Sequence, residues 1–410
     1  MALPMLYCWR EVTGQVSRAY KTELDLTQAQ REACLRHAGA ARWAWNWALA
    51  RKKTSYETEG KVLSVFDLHK ELTTVKKTIA PWLYEVSSAA PLQAIWDLGD
   101  AFKNFFDKRA RYPRFKSRKR SRKSFRMQGD IKVMERGIKL RTFGVLRLKE
   151  RGYLPVGAHV LSATISERAG RWYVSVCIED NSTPAPSNGG PVVGVDLGIS
   201  ALATISDGTH IANPRALARY ERRLIRQQKQ VSRKERDSSN RMKAVERLRR
   251  TYARIVTMRT DAIHKATTML TRTKSVIVVE DLHVESMMRK GPLAKSLADA
   301  SMREFIRQLQ YKAGLYGAKV LVAPEFFPSS KTCSRCGNVK SDLALSERVY
   351  VCEICGFEAD RDLNAAINLE MVAPSLGETL NAWQRKEVAG RPRRADQCLP
   401  MKQETHRSAT

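Results

Sequence analysis

Residues 191–208 read PVVGVDLGISALATISDG: an apolar run that carries one acid, Asp196, then a glycine turn, then a second apolar run. Short β-branched runs bounded by glycine predict two strands joined by a turn. Working outward, residues 214–270 have helical periodicity, with a break expected at 237–240. TKSVIVVEDL predicts a buried strand that delivers Glu280, 301–316 a helix, and AKVLVAPEFF another strand. A cysteine module fills 333–355, and a short helix is expected from near Leu363. Strands alternating with helices make this half α/β.

The other half reads differently. An alternating strand is expected over 17–26, followed by Thr27 as helix N-cap and a helix over 28–58 carrying Trp43, Trp45 and Trp47. Helices follow over 64–79 and 92–110. Ile95, Leu98, Phe102, Phe105 and Phe106 share one face of the last, which reads as core, and Pro91 is expected to interrupt that helix at its start. Residues 131–180 turn to short β-type runs, and 181–190 (NSTPAPSNGG) are a linker by composition. Residues 1–16 read as an extension and 373–410 as a disordered tail.

Lys and Arg number 72 against 42 Asp and Glu, a net charge of +30. Clustered positive charge of that size points to a polyanionic partner, with nucleic acid the first expectation. No apolar run is long enough to span a membrane, and Arg10 and Glu11 interrupt any signal-peptide core. The expected location is the cytoplasm, at the nucleoid when bound to DNA.

Cys333-x-x-Cys336, fifteen residues, then Cys352-x-x-Cys355 is the spacing of a closed four-thiolate zinc site, with Gly337 and Gly356 relaxing the two knuckles. Such a site staples structure and leaves no position for water. The acids carry the chemistry. Asp196 in an apolar strand is costly unless a cation or partner meets it. Glu280 ends a second such strand, and Asp360 and Asp362 follow the cysteine module at a helix start. In an RNase H-like sheet the two strand ends lie side by side, and a helix packed across them brings in the third acid. Three such carboxylates suit two Mg²⁺ ions about 4 Å apart for phosphodiester hydrolysis. Taken singly, Asp196 also fits a turn beside Gly198, and Asp362 a helix N-cap.

Together GVDLGISALATISDG, VVEDLHVESM, FFPSSKTCSRCG…CEICG and DRDLNAAINL resemble the TnpB (OrfB) proteins of insertion sequences. AFKNFF, YPRFKSRK, ETLNAW and MKQE extend the likeness over about residues 17–405. The resemblance implies a wedge β-barrel (17–26 and 124–180) interrupted by a helical recognition domain (27–123). It further implies a RuvC nuclease domain (191–329 and 359–372) and an inserted zinc ribbon (330–358). It implies an Mg²⁺-dependent endonuclease that cuts double-stranded DNA beside a short flanking motif, guided by RNA from the transposon end. Its catalytic acids fall on Asp196, Glu280 and Asp362, since the family's Asp-x-Asn-Ala-Ala matches residues 362–366, although Asp360 stays open as third ligand. A compact type V CRISPR effector, an RNase H-like transposase and a non-cutting guided repressor are the rival readings.

Nucleic-acid contacts are expected from two basic stretches. Arg114, Lys116, Arg118, Lys119, Arg120, Arg122 and Lys123 lie in an acid-free run interleaved with Tyr112, Phe115 and Phe125. Arg215, Arg219, Arg222, Arg223 and Arg226 cover one face of the long helical region. A localisation signal or disorder is the alternative for the first, and a solvated helix face for the second.

Overall fold

The computed structural model describes residues 16–119, 121–180, 185–289, 293–344 and 346–376. The chain forms two compact units that divide at 181/182.

In the first unit, β1 (Val16–Asp25) leads into α1 (Gln28–Glu59), α2 (Val65–Thr78), a 3-10 turn (Pro81–Glu85) and α3 (Ala89–Phe106). Six strands follow: β2 (Ser124–Met127), β3 (Ile131–Met134), β4 (Gly137–Leu140), β5 (Gly144–Leu148), β6 (Val160–Arg168) and β7 (Arg171–Asp180). Thr27 caps α1 with a reciprocal Thr27–Gln30 box, and Gly60 ends it in the left-handed conformation. Pro91 does not interrupt α3. It occupies the first turn, where the N–H that proline lacks has no partner in the helix to lose. The sheet runs β2-β6-β7-β1-β5-β4-β3, all antiparallel. Among the described residues no ladder joins β2 to β3, so hydrogen bonds do not close it into a barrel. One core spans both layers: Leu49, Leu72, Ile95 and Leu98 of the helices pack with Ile138, Ile165 and Val174 of the strands. The expected aromatic stripe of α3 is only partly core, because Phe106 is 69% exposed and meets Phe102 and Phe105 at the helix end.

The second unit contains β8 (Val192–Asp196), β9 (Ala201–Ile205), β10 (His210–Ala212), α4 (Ala216–Ser232), α5 (Ser239–Thr273) and β11 (Val276–Val279). Next come α6 (Val284–Arg289), α7 (Ala294–Ala300), α8 (Met302–Tyr316), β12 (Lys319–Val322), β13 (Val349–Val351), β14 (Glu358–Asp360) and α9 (Arg361–Met371). The five-stranded sheet has the order β10-β9-β8-β11-β12, with β8, β11 and β12 parallel and β9 and β10 antiparallel. Alternate residues of β11 serve opposite faces. Ile277 and Val279 pack toward α5, α7 and α8, and Val278 packs with Leu369 of α9 on the other side. The sheet is therefore the middle of three layers. The described part of the expected linker, 185–190, is anchored: the Asn188 side-chain amide donates to the carbonyls of Thr271, Lys274 and Tyr316. Of the expected disordered tail, 373–376 are helical, and 377–410 lie outside the described residues, as do 1–15 and 181–184.

The contact that sets the α9 layer is at Gly194, in the middle of β8. A Cβ there would overlap the Ala366 carbonyl oxygen and lie 2.6 Å from Glu370 N, so helix backbone rests directly on strand backbone. Gly194→Ala should therefore lower the unfolding free energy by about 3 kcal/mol, the upper end for overpacking. Gly39→Ala, inside α1 with its nearest neighbour 3.9 Å away, should be neutral or stabilising by up to about 1 kcal/mol. Chemical denaturation of both variants checks this, and equal stability of Gly194→Ala and the parent would refute the packing argument.

Candidate active site

β8 and β11 are neighbours in parallel, with Val195 opposite Val279. One step further along each, Asp196 ends β8 and Glu280 follows β11, so both acids leave the sheet at the carboxyl edge of the strands. Asp362 lies in the first turn of α9, the helix laid across β8. The charges of the other acids reach Asp196. Burial pushes the Asp196 carboxyl up to about 8, the negative charges of Glu280, Asp362 and Asp360 add to the shift, and Arg361 opposes it. Burial also raises Glu280, against the pull of a hydrogen bond from Ser329.

Asp360 and Asp362 have different tasks. Asp360 is the N-cap of α9 and accepts from the backbone N–H groups of Asp362 and Leu363, both at 3.0 Å. The N-cap reading of Asp362 is thus corrected. Its carboxylate lies 3.5 Å from the Arg361 guanidinium and is one of the charges acting on Asp196.

Several residues that support the acids were not singled out from the sequence. The Ser329 hydroxyl, 1% exposed, donates to Glu280 Oε1. Asn368 Nδ2 donates to the Ser329 and Thr332 carbonyls at 2.8 and 2.6 Å. Asn364, one turn earlier, donates to the Thr332 carbonyl at 2.7 Å and accepts from Ser334 N at 3.0 Å. Both Asn side chains are buried, and they tie the loop entering the cysteine module to the helix that carries Asp362. The signal available in sequence was the spacing of two Asn residues four apart in an otherwise apolar helix face.

The two cysteine knuckles have the same geometry. Cys333 N donates to the Asn338 carbonyl and Gly337 N to the Cys333 carbonyl; Cys352 N donates to the Phe357 carbonyl and Gly356 N to the Cys352 carbonyl. Gly337 and Gly356 both have positive φ, 76° and 65°. Among the described residues, this quartet is the one set of metal-capable side chains whose ligand atoms gather within 4.8 Å of one another. Its Cys333–Cys355 and Cys336–Cys352 sulfur separations are 3.7 and 3.5 Å. Zn–S bonds of about 2.3 Å around a tetrahedron require sulfurs about 3.8 Å apart, so the donor set fits zinc. The carboxylates do not form a comparably tight ligand set, but like charges acting on the desolvated Asp196 suit a cation as partner.

The basic stretches fall in different units. In the first, the 109–122 segment is stapled to α1: Trp45 Nε1 donates to the Arg114 carbonyl, and Asn46 exchanges hydrogen bonds with the backbone of Lys116. Lys116 lies 3.5 Å over the Trp45 ring, and burial lowers its pKa to about 8. Arg114, Arg118, Lys119 and Arg122 are exposed, Lys123 pairs with Glu167, and Arg120 lies outside the described residues. This segment, α1, α3 and the polar face of β2 and β6 enclose a cavity of about 1040 Å³ that includes Arg42, Arg111 and Arg126. Beside it Lys21, which the sequence did not single out, has its pKa lowered to about 8 by burial and by Arg122 and Arg168. In the second unit Arg215, Arg219, Arg222, Arg223 and Arg226 are all exposed, on and just before α4.

Three family profiles match the chain. OrfB_IS605, described as "Probable transposase", covers residues 175–291; the helix-turn-helix domain HTH_OrfB_IS605 covers 16–61; and the Cas12f1-like TNB domain covers 303–369. In this structure 16–61 hold β1 and the single helix α1. A Streptomyces pristinaespiralis protein with the provisional name RNA-guided DNA endonuclease is 38% identical over 399 residues, 94% of this chain and 99% of its own. InsQ of Escherichia coli K12, provisionally named likewise, is 30% identical over 391 residues, 92% of this chain and 96% of its own. Among solved structures, Cas12f1 in complex with sgRNA and target DNA shares the fold, with a TM-score of 0.50 at 12% identity over 87% of this chain and 99% of that one. With such relatives aligned over nearly their whole lengths, the chain belongs to the TnpB (OrfB) family.

Proposed function

We propose that this protein is an RNA-guided DNA endonuclease of a transposon, and that Asp196, Glu280 and Asp362 hold its Mg²⁺ ions. The observation that carries the reading is the burial of Asp196 among other carboxylates at the edge of two adjacent parallel strands. That arrangement destabilises the fold unless positive charge compensates it. Magnesium held there supplies Lewis acidity to the scissile phosphate and to an attacking water. The chain's own residues hold the geometry. Ser329 fixes one oxygen of Glu280, Asp360 occupies the helix N–H groups and leaves Asp362 to face the site, and Arg361 restrains Asp362.

On this reading 191–329 and 359–372 are the RuvC nuclease domain and 330–358 the zinc ribbon that orients it. Residues 17–26 and 124–180 are the wedge, with 27–123 the recognition helices. The exposed arginines and lysines of 114–123 and of α4 take phosphates of the guide RNA or of the double-stranded target, whose sequence is read by base pairing beside a short flanking motif. The relatives' names as RNA-guided DNA endonucleases support this reading over a transposase that joins strands.

Replacing Asp196, Glu280 or Asp362 by Ala should lower plasmid cleavage in Mg²⁺ by roughly a hundredfold or more while filter binding of target DNA stays near the parent value. Asp360→Asn, which can still cap α9, should cut almost normally; a dead Asp360→Asn beside an active Asp362→Ala would move the third ligand by two residues.

Purified protein should hold about one zinc per chain by elemental analysis. Cys333→Ser or Cys352→Ser should lower zinc and cleavage together, because the ribbon leads into Asp362. Active, freshly reduced protein free of zinc refutes the assignment.

Site-specific cleavage should vanish when bound RNA is removed, return with transposon-end RNA, and move to a new site when the guide segment is changed. Specific cutting by verified RNA-free protein would overturn the guided mechanism.

A further inference from the structure

One residue in the loop between β12 and Ser329 is placed against the interests of stability. Phe326 has φ +62°, the left-handed region that a bulky side chain avoids, and its ring is 86% exposed. It is the third residue of a turn closed by Phe327 N donating to the Pro324 carbonyl, a position that favours Gly or Asn. Phe therefore brings backbone strain and an apolar surface in water, with no burial in return. Its neighbour Phe327 differs, since it packs partly buried against Val278, Leu321 and Leu369. Strain of this kind persists where the surroundings hold it, and it clusters at functional sites.

The surroundings do hold it, and they are the surroundings of the acids. The turn follows β12, whose neighbour β11 delivers Glu280, and Ala323 N donates to the Val279 carbonyl at 2.8 Å. Three residues beyond Phe326, Ser329 donates to Glu280. On the other side, His283 pairs with Glu325 at 2.8 Å, and its ring lies 6.4 Å from that of Phe326 at a tilt of 32°. The two loops that leave the adjacent strands β11 and β12 thus brace each other at the sheet edge from which Glu280 leaves, and they carry an exposed aromatic ring.

We propose that Phe326 is a stacking platform for a nucleobase of the strand entering the carboxylate site, and so a positioning residue for the scissile phosphate. This rests on the assignment of Asp196, Glu280 and Asp362 as the cleavage site. A flat ring in water offers its face to any base, which suits an enzyme whose sequence selection lies elsewhere. The ring makes no hydrogen bonds, so its contribution is sequence-tolerant: it fixes how far along the strand the phosphate sits.

The test uses full-length, guide-loaded protein and target DNA with 2-aminopurine at successive positions around the cut. In an Asp196→Ala background, 2-aminopurine at one position should be quenched, Phe326→Ala should relieve that quenching, and Phe326→Tyr should restore it. In the active background, Phe326→Ala and Phe326→Gly should lose about tenfold in cleavage at subsaturating DNA, mainly through KM. Phe326→Tyr should cut like the parent. Thermal melting separates a structural role. Tm should be unchanged for Ala, and unchanged or raised for Gly, which accepts positive φ. Parent-like quenching and cleavage in Phe326→Ala overturns the proposal, as does a cleavage loss that follows a fall in Tm. A dimer that becomes a monomer in Phe326→Ala with quenching intact would make the ring a protein contact instead, and also overturns it. If Asp196→Ala itself still cuts, the carboxylate reading fails, while the quenching comparison still reads stacking independently.

Discussion

The second unit depends on one backbone-to-backbone contact, the seating of α9 on Gly194 of β8. Because no side chain separates strand from helix there, α9 crosses β8 close to the point where Asp196 leaves the sheet. Everything α9 carries then falls within reach of that edge. Asp362 in its first turn is close enough for its charge to act on Asp196, and Asn364 and Asn368 on the buried side of α9 hold the loop from Ser329 to Ser334. That loop returns the favour to β11, since Ser329 is bonded to Glu280. A ring of contacts therefore runs from β8 to α9, to the 329–334 loop, to Glu280 and back across the β8–β11 ladder. Displacing the helix by the width of one methyl group would loosen every member.

The same arrangement concentrates negative charge within a chain whose overall charge is strongly positive. A protein with +30 net charge places four acids, Asp196, Glu280, Asp360 and Asp362, in one electrostatic neighbourhood, with Arg361 as the counter-charge acting on Asp196. A fold selected only for stability would have set one of its many lysines there. Burial and the neighbouring carboxylates together raise the Asp196 carboxyl, the expected response of an acid placed among like charges. The two kinds of donor divide the work by chemistry. On the proposed reading, soft thiolates would close around one ion in a tetrahedron, and hard carboxylates on separate elements would leave positions for water and substrate.

What could be read from the sequence follows from how local each signal is. The cysteine quartet is a spacing within one segment and was legible in full. Asp196 and Glu280 stood out because an acid at the end of an apolar strand conflicts with its surroundings, a conflict visible within six residues. Which of Asp360 and Asp362 caps α9 was not local, since it depends on which oxygen reaches the helix N–H groups, and the geometry gives that role to Asp360. Ser329 was invisible for the same reason: serine in a loop is ordinary until its hydroxyl is found on Glu280, 49 residues earlier in the chain. Pro91 misled because a proline reads as a breaker unless the helix start is known. In α3 the start lies only two residues before it, at Ala89, so the ring falls in the first turn. Phe106 misled because periodicity assigns a face but cannot say where the neighbouring layer ends.

Phe326 shows where reasoning by consistency fails for a physical reason. Each local rule argues against it: an aromatic in a turn position suited to glycine, on the surface, between two polar loops. The other non-glycine residues with positive φ in this unit have structural explanations close by. Arg215 starts α4, whose first N–H groups are taken by Asp299, and Ser301 joins α7 to α8 while its hydroxyl accepts from Arg259. Asp237 lies in the turn between α4 and α5. Phe326 has no such task for its ring. Its backbone is held by the turn and by the His283–Glu325 pair, but nothing in the fold requires the side chain to be aromatic. The stacking role proposed above supplies such a requirement, since a nucleic-acid strand at the neighbouring carboxylates would present flat base faces to an exposed ring.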